Sequence, residues 1–519
     1  METPDKQLFG TNGVRGGIIG KEMNPELVMK IGMALGTMRN GRIGVGGRDT
    51  RTSGPALSRA VIAGLLATGC DVVDLGVLPT PPAVQYLVRE HCDAGAVITA
   101  SHNPPEYNGV KIIEGDGTEM DDAQTIRLEQ HLFAEEFTLA GWEKMGTLTS
   151  APEMVNEYID AVAEYWNDIT ADGMTVVADP GSGPACESTP QVLTKMGGCR
   201  VVTINGMMDG TFPGRMPEPS PEGLQPMAEL VRQTGAAFGV AHDGDADRAV
   251  FVDETGEYLE ENEQFALVER FICSETPGIV VTPVSTSFLA EQIAEETGSH
   301  VDYTRVGSIS VARRMLALTA EGKTVVFGGE GNGGLILPGH QHCRDGAMTA
   351  ATMVALLKSS GKTLSELRAT LPPPHTMLKD KIHTESPQAL LIKAKEAFAG
   401  DALDLTDGVR INRKGMWALL RPSGTEPFMR LYVEAETGKE AETFRDEITS
   451  IISPECGLSF HSHFLREASA SRTARIKARI LIWSLTPGDT STPVATSTPS
   501  GQMDRTASLT FSGVRPPAR

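Results

Sequence analysis

The chain has 519 residues, enough for about three to five domains at roughly 100–150 residues each. Hydrophobic residues make up 40% and charged residues 22%, which excludes a largely disordered chain. Forty-six Lys and Arg against 67 Asp and Glu leave a net charge of −21, and aromatics are only 5%, so DNA, RNA and anionic membrane are excluded as general partners.

In chain order, IGVGG (43–47) reads as a buried strand and SGPALSRAVIAGLLATG (53–69) as the helix after it. DVVDLG (71–76), AGAVITA (94–100), TVVAD (175–179), RVVTIN (200–205), AAFGVAH (236–242), GIVVTP (278–283) and TVVFGGE (324–330) continue the strand series. Short apolar runs separated by helical stretches predict βαβ units and largely parallel sheets. The buried strands end in Gly- or Asp-rich loops, and open α/β sheets bind ligands at the carboxyl ends of their strands. TLTSAP (147–152) and LPPPH (371–375) read as linkers, the second because consecutive prolines cannot continue a helix. Boundaries near 147, 251 and 370 then give three domains, 1–147, 148–251 and 252–370, and a smaller α+β domain, 371–453. Residues 454–519 differ in character. The stretch TPGDTSTPVATSTPS (486–500) is mostly Ser, Thr and Pro, and the segment from 455 onward has more basic than acidic residues. It reads as an appended extension without a packed fold, or as an arm for an unknown partner.

Seven scattered cysteines without a CxxC pair give neither a disulfide framework nor a zinc site, and fit a reducing cytoplasm. METPDKQLFGTNG lacks the basic and apolar regions of a signal peptide, and no apolar run approaches the length of a membrane span.

Four peptides carry chemistry. In TASHNPPEYNGVKI (99–112), a buried strand delivers Ser101, and the Asn-Pro and Asn-Gly turns fold the loop so that Lys111 can return toward it. On an extended backbone Ser101 and His102 point to opposite faces, which argues against a serine–histidine pair within the dipeptide. In HDGDADR (242–248), Asp243, Asp245 and Asp247 fall on one side of an extended backbone. Three converging carboxylates repel unless a cation joins them, and an all-oxygen set selects Mg2+ or a similar hard ion. Arg248 stands beside them to hold an anionic group. In GGEGNGG (328–334), Glu330 and Asn332 suit sugar hydroxyls or an amine, although a plain turn has the same composition. In RPSGTEPFMR (421–430), Arg421, Ser423, Gly424, Thr425 and Arg430 suit a phosphate; neither a P-loop nor a GxGxxG fingerprint is present.

Together with LFGTNGVRG (8–16) and GRDTRTSG (47–54), and in this order up to about residue 453, these motifs resemble the α-D-phosphohexomutase superfamily, which includes phosphoglucomutase, phosphomannomutase and phosphoglucosamine mutase. The resemblance implies an α/β fold: three similar mixed α/β domains and a smaller α+β C-terminal domain around a central cleft. It implies that Ser101 rests as a phosphoserine and that Mg2+ is held by Asp243, Asp245, Asp247 and the seryl phosphate. The phosphoryl would pass to a hexose monophosphate, and the bisphosphate would turn over and return its other phosphoryl to Ser101. Arg15 matches an active-site arginine, His102 and Lys111 flank the phosphoserine, and Arg305 in TRVGS matches a basic residue near the sugar. Many bacterial members carry Ser and His where this chain has Asn332 and Gly334. GEGNGG and FPGRMPEPSPEGL (212–224) are similar to the archaeal branch, whose pattern implies glucosamine 6-phosphate and glucosamine 1-phosphate as the substrate pair. Phosphomannomutase or phosphoglucomutase activity is the alternative. A non-catalytic sugar-phosphate sensor is a remote one, and a phosphatase is disfavoured because the Asp loop holds no nucleophile of its own.

Overall fold

Four sheets follow one another along the chain. The computed structural model describes residues 8–452 apart from 11–12, 18–22, 40, 385 and 423–427; the tail at 454–519 and Ser423, Gly424 and Thr425 lie outside the described residues. The first sheet holds β1 (Val14–Gly17), β2 (Arg42–Arg48), β3 (Asp71–Asp74), β4 (Ala94–Ile98), β5 (Tyr107–Glu114) and β6 (Leu148–Ser150), in the order β1-β5-β4-β2-β3-β6. The second holds β7 (Thr175–Asp179), β8 (Arg200–Thr203), β9 (Phe238–His242), β10 (Ala249–Asp253) and β11 (Tyr258–Leu259), ordered β11-β10-β9-β7-β8. The third holds β12 (Ile279–Pro283), β13 (His300–Thr304), β14 (Val325–Glu330) and β15 (Gly334–Ile336), ordered β13-β12-β14-β15. The fourth holds β16 (Thr376–His383), β17 (Ala402–Asp404), β18 (Val409–Arg413), β19 (Met416–Pro422) and β20 (Phe428–Ala435). Its order is β16-β20-β19-β18-β17, antiparallel throughout.

The first three sheets share one plan. β4, β9 and β14 each run parallel to an inner neighbour and antiparallel to the strand that follows. The sheets are therefore mixed, which corrects the expectation of largely parallel sheets. The physical reason is connection length. The segments between β4 and β5, β9 and β10, and β14 and β15 are short loops, whereas a parallel crossover needs about a dozen residues or more. Those three loops are the peptides around Ser101, Asp243–Asp247 and Asn332. The tip between β19 and β20 is the expected phosphate loop. In the first three sheets the candidate peptide thus occupies the same position, the connection from the inner strand to its antiparallel neighbour.

Two sequence expectations need correction here. The stretch expected as a linker at 147–152 contains β6, which extends the first sheet in parallel beside β3. The expected boundary at 251 falls inside β10, which is paired on both sides within the second sheet. A three-residue polar edge strand and a strand boundary next to a hairpin both escape a reading based on apolar runs. LPPPH (371–375) connects the helix Leu364–Arg368 to β16.

The core explains why the first three units hold their loops in register. One apolar cluster runs from Val84, Leu87 and Val97 through Tyr158, Val176 and Phe238 to Phe327 and Met353. A second covers the other face of the first sheet with Val28, Ile31, Leu35 and Val61. The fourth sheet has its own core, including Leu420, Leu431, Val433 and Phe444. It is joined to the third unit by buried Glu434, which accepts hydrogen bonds from Trp417 Nε1 (2.5 Å), Ser287 Oγ (2.5 Å) and Phe288 N (3.0 Å). Among the described residues no helix is long and apolar enough to cross a membrane.

Candidate active site

Strand β4 is buried along its whole length and delivers Ser101 to a buried position. Ser101 has a left-handed backbone, φ 51°, which costs a residue with a side chain on the order of 1–3 kcal/mol unless its surroundings enforce it. Enforcement comes from Thr99 Oγ1, which accepts from Ser101 N at 2.8 Å, and from Arg51. The Arg51 guanidinium lies fully buried and uses all five N–H groups. Nε donates to Asp49 (2.9 Å), Nη1 to the carbonyls of Pro104 and Tyr107, and Nη2 to those of Ser101 (2.8 Å) and Asn103 (2.6 Å). The left-handed turn also corrects the Ser101–His102 expectation. The residues do not alternate as on a strand, and Ser101 Oγ comes within 3.4 Å of His102 Nδ1. The same hydroxyl donates to Asp243 Oδ2 at 3.0 Å.

Asp243, Asp245 and Asp247 are all buried, and a carboxylate oxygen from each lies within 4.8 Å of the others. Their convergence does not arise from strand alternation, as expected, but from a turn in which Ala246 takes a φ of 65°. Neighbouring units hold that turn: Gly346 N donates to Ala246 O (3.2 Å), and Thr80 N to Asp245 O (2.9 Å). Gly244 is glycine for space. A Cβ there would lie 2.4 Å from Ser101 O, so the glycine lets the serine loop seat on the aspartate loop.

The electrostatics have one sign problem and several partial solutions. Burial, then Asp247 and Asp243, push the Asp245 carboxyl well above the ordinary aspartate range, and Lys111 only partly opposes them. Burial also disfavours charge on Asp247, but Arg344, Lys111 and Arg248 outweigh it and hold that carboxyl below the ordinary range. Lys111, on β5, is buried 3.7 Å from Asp245, 4.0 Å from Asp247 and 3.6 Å from Glu119. Burial opposes its charge, yet those three carboxylates keep its pKa above the usual lysine value. Asp245 Oδ1 and Asp247 Oδ1 are buried without a hydrogen-bond partner among the described residues. An all-oxygen, buried, partly unsatisfied and mutually repelling set fits a hard divalent cation.

A group of basic residues faces this site. Arg248 donates to Glu218 (3.0 Å), reaches His102 Nδ1 at 3.0 Å, and lies 3.8–3.9 Å from Asp247 and Asp243. Arg15, on β1, donates to Asn103 Oδ1 at 3.0 Å. Burial, followed by Arg248 and Arg15, pushes the His102 pKa down to about 2. The ring is therefore neutral, and its 3.6 Å approach to Glu218 is not an ion pair.

Glu330, at the end of β14, accepts from Gly307 N (3.2 Å) through Oε1 and from Arg344 Nη1 (2.7 Å) through Oε2. The other end of the Arg344 guanidinium binds Asp247 Oδ2. Asn332 uses its side-chain oxygen to accept from Gly334 N (3.2 Å), closing the β14–β15 turn, so its amide NH2 is the part left for a ligand. Arg305 is not brought to Glu330. Its side chain is 62% exposed and pairs with Asp122 at 3.4 Å, while the backbone of Val306 and Gly307 turns inward. Arg421 and Arg430 are directly opposite each other on β19 and β20, at the base of the tip. Like charges in register repel, an effect that a bound anion would reverse. Asp407 forms an ion pair with Arg421, 2.8 Å from its Nε, and accepts from Val306 N at 3.1 Å, which ties the fourth unit to the loop beside Glu330.

Arg51, Glu119, Glu218, Arg344 and Asp407 are functional candidates that the sequence reading did not single out. Arg51 stands in GRDTRTSG (47–54), where a second arginine two residues from an aspartate is the available signal. Arg344 sits between a free cysteine and a helix-capping aspartate, Asp345. Only its partners far along the chain distinguish it.

Comparison with known proteins agrees with this arrangement. Family models described as phosphoglucomutase/phosphomannomutase α/β/α domains I, II and III and C-terminal domain match residues 6–139, 156–256, 260–375 and 380–451. A phosphoglucomutase/phosphomannomutase of Thermococcus kodakarensis is 42% identical over 453 residues, covering 84% of this chain and 96% of that protein. A probable phosphoglucosamine mutase of Methanopyrus kandleri is 41% identical over 452 residues, covering 86% and 98%. Among solved structures, a phosphoglucomutase/phosphomannomutase family protein of Burkholderia thailandensis superposes with a TM-score of 0.76 at 25% identity, covering 88% of this chain and 99% of that one.

Proposed function

Since the chain belongs to the phosphoglucomutase/phosphomannomutase family of α-D-phosphohexomutases, we propose that it interconverts glucosamine 6-phosphate and glucosamine 1-phosphate through a phosphoserine at Ser101. One observation carries the reading: the Ser101 hydroxyl is 3.0 Å from Asp243 in a buried three-carboxylate loop. A nucleophile fixed beside a cation cradle suits phosphoryl transfer, in which positioning and charge neutralisation carry most of the catalysis.

In this reading Asp243, Asp245 and Asp247, with the seryl phosphate, hold Mg2+. When bound, Mg2+ would neutralise charge on the transferring phosphoryl group. Arg421 and Arg430, with Ser423, Gly424 and Thr425, hold the phosphate of a hexosamine monophosphate and leave its free hydroxyl toward Ser101. The hydroxyl oxygen bonds to phosphorus as the Ser101 Oγ–phosphorus bond breaks. The hydroxyl gives up its proton to water and Oγ gains one from a protein donor, which water reprotonates. His102, neutral down to a pKa of about 2, is a poor store for that proton and acts through its fixed place between Ser101 and Arg248. Lys111, whose charge three carboxylates sustain, is the candidate donor to Oγ, with Arg15 and Arg248 as fixed positive charge. The bisphosphate then turns end for end, and its other phosphoryl returns to Ser101. The free cysteines of the described residues suit a cytoplasmic setting for this chemistry.

The Glu330 carboxylate suits a protonated 2-amino group, and the name of the Methanopyrus relative supports that substrate. The name of the Thermococcus relative supports glucose and mannose phosphates as the second reading, in which Glu330 accepts from sugar hydroxyls. The deciding experiment is ³¹P NMR with Mg2+ and a priming bisphosphate, offering glucosamine 6-phosphate, glucose 1-phosphate and mannose 1-phosphate in parallel. Fastest conversion of the glucosamine ester is expected. Faster conversion of the others assigns a general hexose-phosphate mutase, and conversion of none refutes both readings.

The cation makes a separate prediction with a defined sign. Without metal, Asp245 has a raised pKa in the folded state. Its contribution to stability is therefore complete below the ordinary aspartate value of 3.8 and is lost as pH rises through the raised folded value. A divalent cation needs the deprotonated carboxylates and removes that loss, so the Mg2+-induced rise in melting temperature is larger at about pH 8 than at about pH 5. Thermal melts in EDTA and in Mg2+ at both pH values measure this. An equal rise at both would remove the three aspartates as the binding site.

A further inference from the structure

We infer that Arg344 is a positioning residue that couples Glu330 to Asp247, and that position 334 is glycine because the stem of this arginine occupies the space a side chain there would need. The inference rests on the reading above, in which the aspartate loop holds a divalent cation and Glu330 faces the sugar.

Arg344 enters the site from a rigid support. It follows β15 and precedes the helix Gly346–Ser360, which Asp345 caps by accepting from Met348 N at 2.9 Å. Asp345 is itself fixed by Tyr158 Oη (2.7 Å), by Gln341 Nε2 (2.8 Å) and by its own N–H to Leu335 O (3.1 Å). The adjacent guanidinium is almost fully buried, with one end on Glu330 and the other on Asp247. A planar fork can bridge two carboxylates in fixed directions; an ammonium point charge cannot. Glu330 belongs to the third sheet and Asp247 to the loop of the second, so this side chain is a direct polar link between the two functional loops.

Gly334 is the other half of the device. An added Cβ would lie 2.3 Å from Arg344 Cδ, 3.2 Å from its Cγ and 3.1 Å from Asn332 Oδ1. The backbone at 334 is outside the left-handed region, so conformation does not require glycine there. Space does, and the arginine stem takes it. A cation that draws on Asp247 must alter the pull on Arg344, and Arg344 in turn sets where the Glu330 carboxylate stands. The cation and the sugar phosphate should therefore change each other's affinity by the same factor.

The test measures Mn2+ binding by EPR on the full, dephosphorylated chain, with and without glucosamine 6-phosphate, and glucose 1-phosphate in parallel. The wild type is expected to shift its Mn2+ affinity about fivefold or more on adding the sugar phosphate. Arg344→Gln and Gly334→Ala should both cut the shift to within about twofold, and Arg344→Lys should retain part of it. In an Arg344→Ala background, Gly334→Ala should cost nothing further in coupling and much less in melting temperature, because only the 3.1 Å approach to Asn332 Oδ1 remains. Wild-type coupling in Arg344→Gln overturns the inference, as does a harmless Gly334→Ala or one equally harmful in both backgrounds. If Arg344→Gln does not fold, Gly334→Ala keeps the arginine, adds one methyl group and decides alone. A wild type that binds both ligands without coupling refutes this inference only; one that binds neither, and whose Ser101-phosphorylated form does not bind Mn2+ either, refutes the functional reading and this inference with it.

Discussion

Ser101→Ala is expected to lower turnover by on the order of 10⁴-fold or more while leaving the melting temperature nearly unchanged. The two halves of that expectation have different causes. The chemistry depends on Oγ as the atom that carries the phosphoryl group; the nearby Thr99 hydroxyl donates to Asp49 at 2.7 Å and reaches Asp245 only at 3.4 Å. The architecture does not depend on Oγ. The left-handed turn is held by Arg51 on the backbone carbonyls and by Thr99 on the Ser101 N–H, and all of those bonds survive the substitution. The variant loses one hydrogen bond to Asp243, worth roughly 0.5–1.5 kcal/mol. Intact mass of the purified protein gives a second readout: the phosphate-sized increment of the wild type should vanish with the hydroxyl. A variant that keeps more than about a tenth of the turnover would end the phosphoserine mechanism.

The aspartate loop was legible in the sequence because three carboxylates alternating with small residues repel one another when they converge, unless a cation joins them. The route by which they converge was not. Strand alternation and a turn centred on Ala246 predict the same cluster, and only the backbone distinguishes them. The same assumption of an extended chain separated Ser101 from His102, which a left-handed serine brings together. Alternating strands and helices revealed the α/β class, but the antiparallel step after β4, β9 and β14 depends on loops too short for a crossover, and apolar runs do not report loop geometry. Arg344 and Arg51 were hidden for another reason. Their partners lie tens of residues away, Asp247 for the first and the loop 101–107 for the second. Spacing rules read only neighbours. Arg305 shows the converse, since a basic residue in the expected place points to Asp122 instead.

Arg51→Ala is expected to cost about 3–5 kcal/mol of stability and most of the activity, although Arg51 touches no reacting atom. Its guanidinium is the hub of the serine loop, and removing it takes a donor from four carbonyls, of which that of Ser101 is buried, and takes the buried counter-charge from Asp49. Arg51→Lys should recover little, because one ammonium group has too few donors and the wrong geometry for five acceptors spread over a plane. The loss should depend on pH. Burial already pushes the Asp49 carboxyl above the ordinary aspartate range, while Arg51 and Thr99 pull it down. Without the arginine the folded-state pKa rises further, so the stability Asp49 contributes is complete below 3.8 and is lost as pH climbs through the new value. Urea unfolding of wild type and variant should therefore show a smaller gap at about pH 5 than at about pH 8. A gap of the expected size that does not change with pH would mean the carbonyls, and not Asp49, dominate the cost. No gap at either pH would mean that the loop stands without its hub, and that the strained serine is enforced by Thr99 and the aspartate loop alone.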